Sequence, residues 1–126
     1  MYSRAPLFGF LHASVAVIRN GQMLLVIERS DGRGFSLPGG LAFPWESAEQ
    51  AMIREVREET GLQISKSILL FKYKTSADIR CILSVFEAEA DGGLVDSWEG
   101  IPRWLDPTDI RSSLLPSQKE ILDRIA

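Results

Sequence analysis

The chain has 126 residues, 45% hydrophobic and 25% charged, proportions that suit one ordinary soluble domain with a core of its own. Its net charge of −3 argues against a nucleic-acid-binding face, because neutralising phosphates takes clustered Lys and Arg. No apolar run of about 18 residues could span a membrane, and the single cysteine, Cys81, cannot close an internal disulfide, so a reducing, cytoplasmic setting is the expectation.

The opening stretch, MYSRAPLFGFLHASVAVI, sets an arginine before an apolar run in the manner of a signal peptide. His12 and Ser14 interrupt the run, and it flows into a turn, so a first strand is expected from Phe10 to Ile18. A second is expected from Met23 to Glu28, with Asn20-Gly21 as the hairpin signal between them. His12, the only histidine, reads as a packed or exposed strand residue and not as a catalytic one. Arg29 closes the second strand. Ser30 to Gly34 form a flexible loop into Phe35-Ser36-Leu37-Pro38-Gly39-Gly40. The paired glycines let the backbone pass close to another group with no Cβ in the way; the plainer alternative is a tight turn with positive φ.

Ser47 followed by Gln50 is a capping-box signature, which starts a helix near Ala48. Ala48, Met52 and Val56 recur at i, i+4, i+8 as its buried stripe, and Thr60-Gly61 ends it. Glu55, Glu58 and Glu59 then fall at i, i+3, i+4 on one face, about 5–6 Å apart at Cβ. Clustered carboxylates repel and raise one another's pKa unless positive charge sits among them. A hard divalent cation with oxygen ligands is the natural partner, and Mg²⁺ usually takes carboxylates together with substrate phosphates. Arg54, four residues before Glu58, is spaced to pair with it and orient it. The plainer alternative is a solvated acidic face, salt-bridged by Arg54 and Arg57.

Gly40, Glu46, Arg54-Glu55-Val56, Glu58-Glu59 and Gly61-Leu62 together match Gly-x5-Glu-x7-Arg-Glu-U-x-Glu-Glu-x-Gly-U, where U is bulky and aliphatic. The chain therefore resembles the Nudix hydrolases. The resemblance implies an α/β fold, an α/β/α sandwich with a mixed β-sheet, with residues 1–126 as a single Nudix domain. It implies hydrolysis of a phosphoanhydride bond in a nucleoside diphosphate linked to another moiety, and a monomer or homodimer acting on a small-molecule nucleotide. Mg²⁺ is the implied cofactor, with Mn²⁺ as a substitute.

By the same resemblance Glu58 and Glu59 are metal ligands and Glu55 is a ligand or the general base. Glu46 steadies the loop or binds an outer metal, Arg54 holds Glu58 or Glu59, and the carbonyl of Gly39 joins the coordination shell. Arg29 is the candidate contact to substrate phosphates, with Arg33 a second, and Phe35 and Gly40 belong to the substrate-binding segment. Phe35 stands where many members carry tryptophan. One departure is plain: Phe43-Pro44-Trp45-Glu46 replaces the glycine that usually precedes the first glutamate. Trp45 is expected to pack over the helix start, with stacking on a base as the alternative. That departure motivates a second hypothesis, a catalytically weak Nudix-fold nucleotide-sensing module, against which the intact glutamates argue.

Downstream, strands are expected from Ile64 to Lys74 and from Ile79 to Ala90, separated by Ser76-Ala77-Asp78. Ile68-Leu69-Leu70-Phe71 and Ile82 to Phe86 are apolar enough to be largely buried, and Cys81 beside them reads as a core filler. The segment from Asp96 to Leu105 resembles a variable acidic loop of the family followed by a Trp-containing strand. Glu99 is thereby a candidate metal ligand or base. Trp104 is expected in the core beneath the next helix. Asp106-Pro107 begins a short helical turn, and Pro116 to Ile125 reads as a final amphipathic helix with Ile121, Leu122 and Ile125 inward. Nothing in the sequence selects among ordinary or oxidised nucleoside triphosphates, ADP-ribose, sugar nucleotides, dinucleoside polyphosphates or capped RNA. The small build resembles the mutator-type members.

Overall fold

The computed structural model describes residues 11–125. The readings that fall on residues 1–10, including a strand start at Phe10, lie outside the described residues. In chain order the elements are β1 (Leu11–Val17), β2 (Arg19–Asn20), β3 (Met23–Arg29), β4 (Phe35–Ser36), β5 (Gly39–Leu41), α1 (Ala48–Thr60), β6 (Gln63–Thr75), β7 (Cys81–Asp91), β8 (Gly100–Leu105), α2 (Pro107–Ile110) and α3 (Lys119–Ile125). Short 3₁₀ turns at Arg111–Ser113 and Pro116–Gln118 link the last two helices. β2, β4 and β5 were not among the strands expected, because they are too short for hydrophobic periodicity to resolve.

The strands form two four-stranded sheets. One has the order β5-β1-β7-β6 and the other joins β2, β3, β4 and β8 around β3. β1 runs parallel to β7 and antiparallel to β5, so the first sheet is mixed. The Asn20-Gly21 turn forms as expected, with Gly21 at φ 61, but it closes the short β2–β3 hairpin, where Asn20 faces Met23. β1 pairs with other strands instead. Turn chemistry dictates only the residues next to the turn; β1, buried over Ala13 to Val17, takes the central place that both-face burial favours.

Period-two alternation sorts the core into two layers. Val15, Val17, Leu24, Val26, Leu83 and Val85 pack on the C-terminal side with Ile110, Leu114, Ile121 and Leu122. Ala16, Ile18, Leu25, Phe86 and Ala88 point the other way, onto Met52 and Val56 of α1. Each fully buried aliphatic side chain of this kind contributes about 1.5–3 kcal/mol. The result is the expected α/β arrangement, a mixed sheet layer with helices on both sides.

Two expectations about burial and one about a helix boundary need correction. Ile68 is 61% exposed and Leu69 49%, because β6 is the outer strand of its sheet and two irregularities in its pairing with β7 turn it outward. Trp104 packs with the α1-side cluster and not beneath the following helix, since its register partner is Leu25. The final helix begins at Lys119; Pro116 starts a separate 3₁₀ turn.

Candidate active site

The helix that carries the carboxylates is capped as its sequence dictates. Ser47 and Gln50 form a reciprocal capping box, and Gly61 at φ 80 closes the other end with its N–H on the Arg57 carbonyl. The Ser14 hydroxyl donates to the Ala48 carbonyl at 2.8 Å, tying the first turn of α1 to β1. With Met52 and Val56 locked into the core, Glu55 and Glu59 project together towards β5.

Gly40 makes room for Glu55, and Gly39 lets β5 lie close against β1. A Cβ on Gly40 would lie 1.9 Å from Oε2 of Glu55, and one on Gly39 would lie 2.0 Å from the Ser14 carbonyl oxygen. The Gly39 N–H donates to Oε1 of Glu59 at 2.7 Å. Glu99 arrives from the β7–β8 loop, and Glu55, Glu59 and Glu99 each offer an oxygen within 4.8 Å of the others. Three acceptor-only groups at that spacing, one of them buried, are a donor set for a hard divalent cation. Burial pushes the Glu55 carboxyl up to about 7, with the hydrogen bond to Glu58 adding to the rise and Arg54 opposing it. Burial likewise lifts Glu59 to about 8, against the pull of the Gly39 N–H, with Glu99 and Glu55 adding repulsion.

Arg54 organises the neighbourhood. Its Nε and Nη2 grip both oxygens of Glu46 at 2.7 and 2.9 Å, Nη1 reaches Glu55 at 2.7 Å and Glu58 at 3.1 Å, and Nη2 also donates to the Leu41 carbonyl at 3.1 Å. Glu46 in turn accepts the Phe43 N–H at 2.9 Å, and the Arg54 hydrogen bonds hold its carboxyl down at about 2. Glu58 stands half exposed at the edge of the group, outside the trio.

A cleft of about 270 Å³ opens beside Gly39 and Gly40, with Arg29 and Arg33 on one rim and Ala13, Val15, Leu83 and Leu115 as its apolar wall. A second, of about 210 Å³, contains Glu59 and Glu99, and Arg29 and Ser36 line both. Such a joined pair, apolar at one end and acidic at the other, suits a molecule with an organic body and a charged, cation-carrying chain. A profile of the NUDIX domain matches residues 10–125. The chain belongs to the Nudix family.

Among its relatives, a protein of Bacillus subtilis (strain 168) with the provisional name 8-oxo-dGTP diphosphatase is 32% identical over 111 residues, covering 85% of this chain and 73% of that one. An ADP-ribose pyrophosphatase of Methanocaldococcus jannaschii is 39% identical over 72 residues, 52% of this chain and 43% of its own. The crystal structure of a MutT NUDIX hydrolase from Burkholderia pseudomallei superposes with a TM-score of 0.79 at 21% identity, covering 92% of this chain and 98% of that one, which establishes the shared fold. This chain is thus a Nudix pyrophosphohydrolase.

The remaining residues singled out in this Nudix sequence fall as follows. Arg29 lies at the junction of the clefts but is engaged by Asp31, Nη2 to Oδ2 at 2.6 Å. Phe35 packs against the C-terminal-side core and does not line the cleft. Trp45 does not cover the helix start: it is 78% exposed and, among the described residues, stacks only on Phe43, centroids 5.0 Å apart, while the Arg54 guanidinium lies 4.1 Å over the Phe43 ring. Arg54 occupies the face of Phe43, so Trp45 is left to the outside. His12 is exposed and Cys81 buried, as expected.

Sequence reading missed Gln118, Asp78 and Trp98. Gln118 lines the apolar cleft and its Oε1 accepts the Leu37 N–H at 2.7 Å, which leaves its amide NH₂ as a donor. Asp78 accepts the Ser117 N–H and lines the same cleft. The only signal for Gln118 was a polar break, Ser117-Gln118, before an apolar helix.

Proposed function

We propose that this protein hydrolyses, with a divalent cation, a phosphoanhydride bond in a nucleoside diphosphate linked to another group, acting as one Nudix domain. The observation that carries the reading is the trio of Glu55, Glu59 and Glu99, whose oxygens converge within 4.8 Å, two of the three lining the acidic cleft. Glu59 and Glu99 would hold Mg²⁺ or Mn²⁺, with Glu58 adding a ligand from the solvent side, while Glu55 stands beside them as the base. When bound, the cation offsets the phosphate charge and acidifies water.

The protein's own groups supply the rest. The nucleobase enters the apolar cleft, where the Gln118 amide donates to it. Arg29, released from Asp31, and Arg33 bind phosphate oxygens, and bidentate guanidinium contacts favour that geometry. A water oxygen forms the new bond to phosphorus, the bridging P–O bond breaks, and one proton of that water passes to a carboxylate. Glu55 is the base in this reading, because its Oε2 lies against the bare Cα of Gly40, a residue of the cleft wall, and Arg54 fixes its other oxygen. A carboxylate within reach of the attacking water can take its proton in that role.

The test is product release from a panel with and without Mg²⁺ or Mn²⁺: nucleoside triphosphates ordinary and oxidised, ADP-ribose, a sugar nucleotide and a dinucleoside polyphosphate. Cation-dependent turnover of one class, lost in Glu55→Gln, is the expected result. Nucleotide-induced stabilisation with no turnover across the panel would point to a nucleotide-sensing module and overturn the hydrolytic reading.

A further inference from the structure

The acidic cleft has an unusual outer wall. Trp98 lines it together with Glu59 and Glu99, yet its side chain is 87% exposed, the most exposed large hydrophobic among the described residues. Among those residues no aromatic ring or guanidinium stacks on it. Buried indoles ordinarily contribute large apolar area and a satisfied N–H; this one has neither.

Its backbone, by contrast, is held in place. The Ser30 hydroxyl donates to the Trp98 carbonyl at 2.9 Å and to the Glu99 carbonyl at 3.0 Å. The Ser30 N–H donates to the Glu99 carbonyl at 3.0 Å, and Ser97 and Gly100 exchange hydrogen bonds at 3.1 and 3.2 Å. The indole therefore stands on a fixed turn at the mouth of the cleft, one residue from a member of the carboxylate trio.

Charge narrows what can sit there. Three carboxylates, Asp31, Glu59 and Glu99, line this cleft against a single guanidinium, Arg29, so its wall is acidic whether or not Arg29 keeps its bond to Asp31. A free terminal phosphate beyond the cation site would face carboxylates and an apolar ring. A flat, uncharged ring would find a stacking surface, and indole–base stacking tolerates any base because every base has a π face.

We propose that Trp98 is a stacking platform for a second flat moiety of the substrate, a nucleobase joined through the phosphate chain. One base then lies in the cleft of Gln118, the phosphates run past Arg29 and the glutamate trio, and the other base stacks on Trp98. The inference rests on the hydrolytic reading above and adds which kind of group the diphosphate carries. Trp98 acts in binding the substrate and takes no part in the bond-breaking step.

The experiment compares a dinucleoside polyphosphate with the triphosphate of the same nucleoside, using full-length protein and its Trp98→Ala and Trp98→Phe variants in Mg²⁺. The ratio of kcat/KM for the dinucleoside substrate over the triphosphate should fall about tenfold in Trp98→Ala, through KM, and largely return in Trp98→Phe. Tryptophan fluorescence gives a readout independent of turnover: the dinucleoside compound should quench it in the wild type and quench it less in Trp98→Phe. An unchanged ratio in Trp98→Ala would overturn the platform. So would efficient turnover of the triphosphate with none of the dinucleoside substrate, a result that leaves the hydrolase intact. Absence of turnover and of quenching with every compound would overturn both readings.

Discussion

A Cβ on Gly40 would lie 1.9 Å from Oε2 of Glu55, so the glycine and the carboxylate occupy one another's space. Gly40 does not have a positive φ, and its requirement for glycine is steric. Fifteen residues of chain separate the two, yet β5 and α1 bring them together because Met52 and Val56 seat the helix in the core.

Gly40→Ala should therefore act on catalysis and spare the fold. The methyl must displace the far end of a flexible side chain, which costs little stability, but it moves Glu55 out of place. A misplacement near 1 Å can cost about a hundredfold in rate. Measuring kcat beside a thermal melt checks this: a hundredfold loss with the melting temperature nearly unchanged is expected, and full activity would mean the Glu55 position is immaterial.

Glu58→Gln tests the solvent-side carboxylate. Removing one of several clustered negative charges should leave the metal-free protein equally or slightly more stable, while kcat falls by about tenfold or more, the scale of losing a metal-affinity contribution. Glu55→Gln should be the more damaging of the two. Equal, negligible effects would mean that this helix face is a solvated acidic surface.

The pH dependence has a definite sign. Without metal, burial and neighbouring carboxylates hold Glu55 at about 7 and Glu59 at about 8, whereas an unfolded glutamate titrates near about 4.3. Between those values the folded chain binds more protons than the unfolded one. The stability these groups contribute is thus fully present below about pH 4 and is lost as pH rises through 7 and 8. With chelator present, the melting temperature should fall from pH 5 to pH 8, and Mg²⁺ should restore most of it at pH 8 by supplying the missing positive charge. A flat profile in chelator, or no response to Mg²⁺, would contradict a cation site at these glutamates.

Gly61→Val should lower stability by more than about 1 kcal/mol, because a β-branched residue tolerates φ 80 poorly. The added Cβ would also meet Cγ2 of Val95 at 2.8 Å. Chemical denaturation measures it, and an unchanged midpoint would mean the helix end relaxes without cost.

Local chemistry was legible in the chain. Ser47 and Gln50 announced the capping box, Gly61 the helix stop, Asn20-Gly21 a tight turn, and the spacing of Glu55 and Glu59 put both on one helical face. Each depends on contacts within a few residues, which the order of residues already contains, together with the family that this pattern marks. The rest depends on pairing at long range. That β1 pairs with β7 and not with β3, and that Ile68 and Leu69 face solvent on an outer strand, are settled by competition among strands for the centre of a sheet. Gln118 reaches Leu37 across 81 residues, and Ser30 pins Trp98 across 68. Hydrophobic periodicity reports which side of an element faces inward; it carries no information about which element waits there.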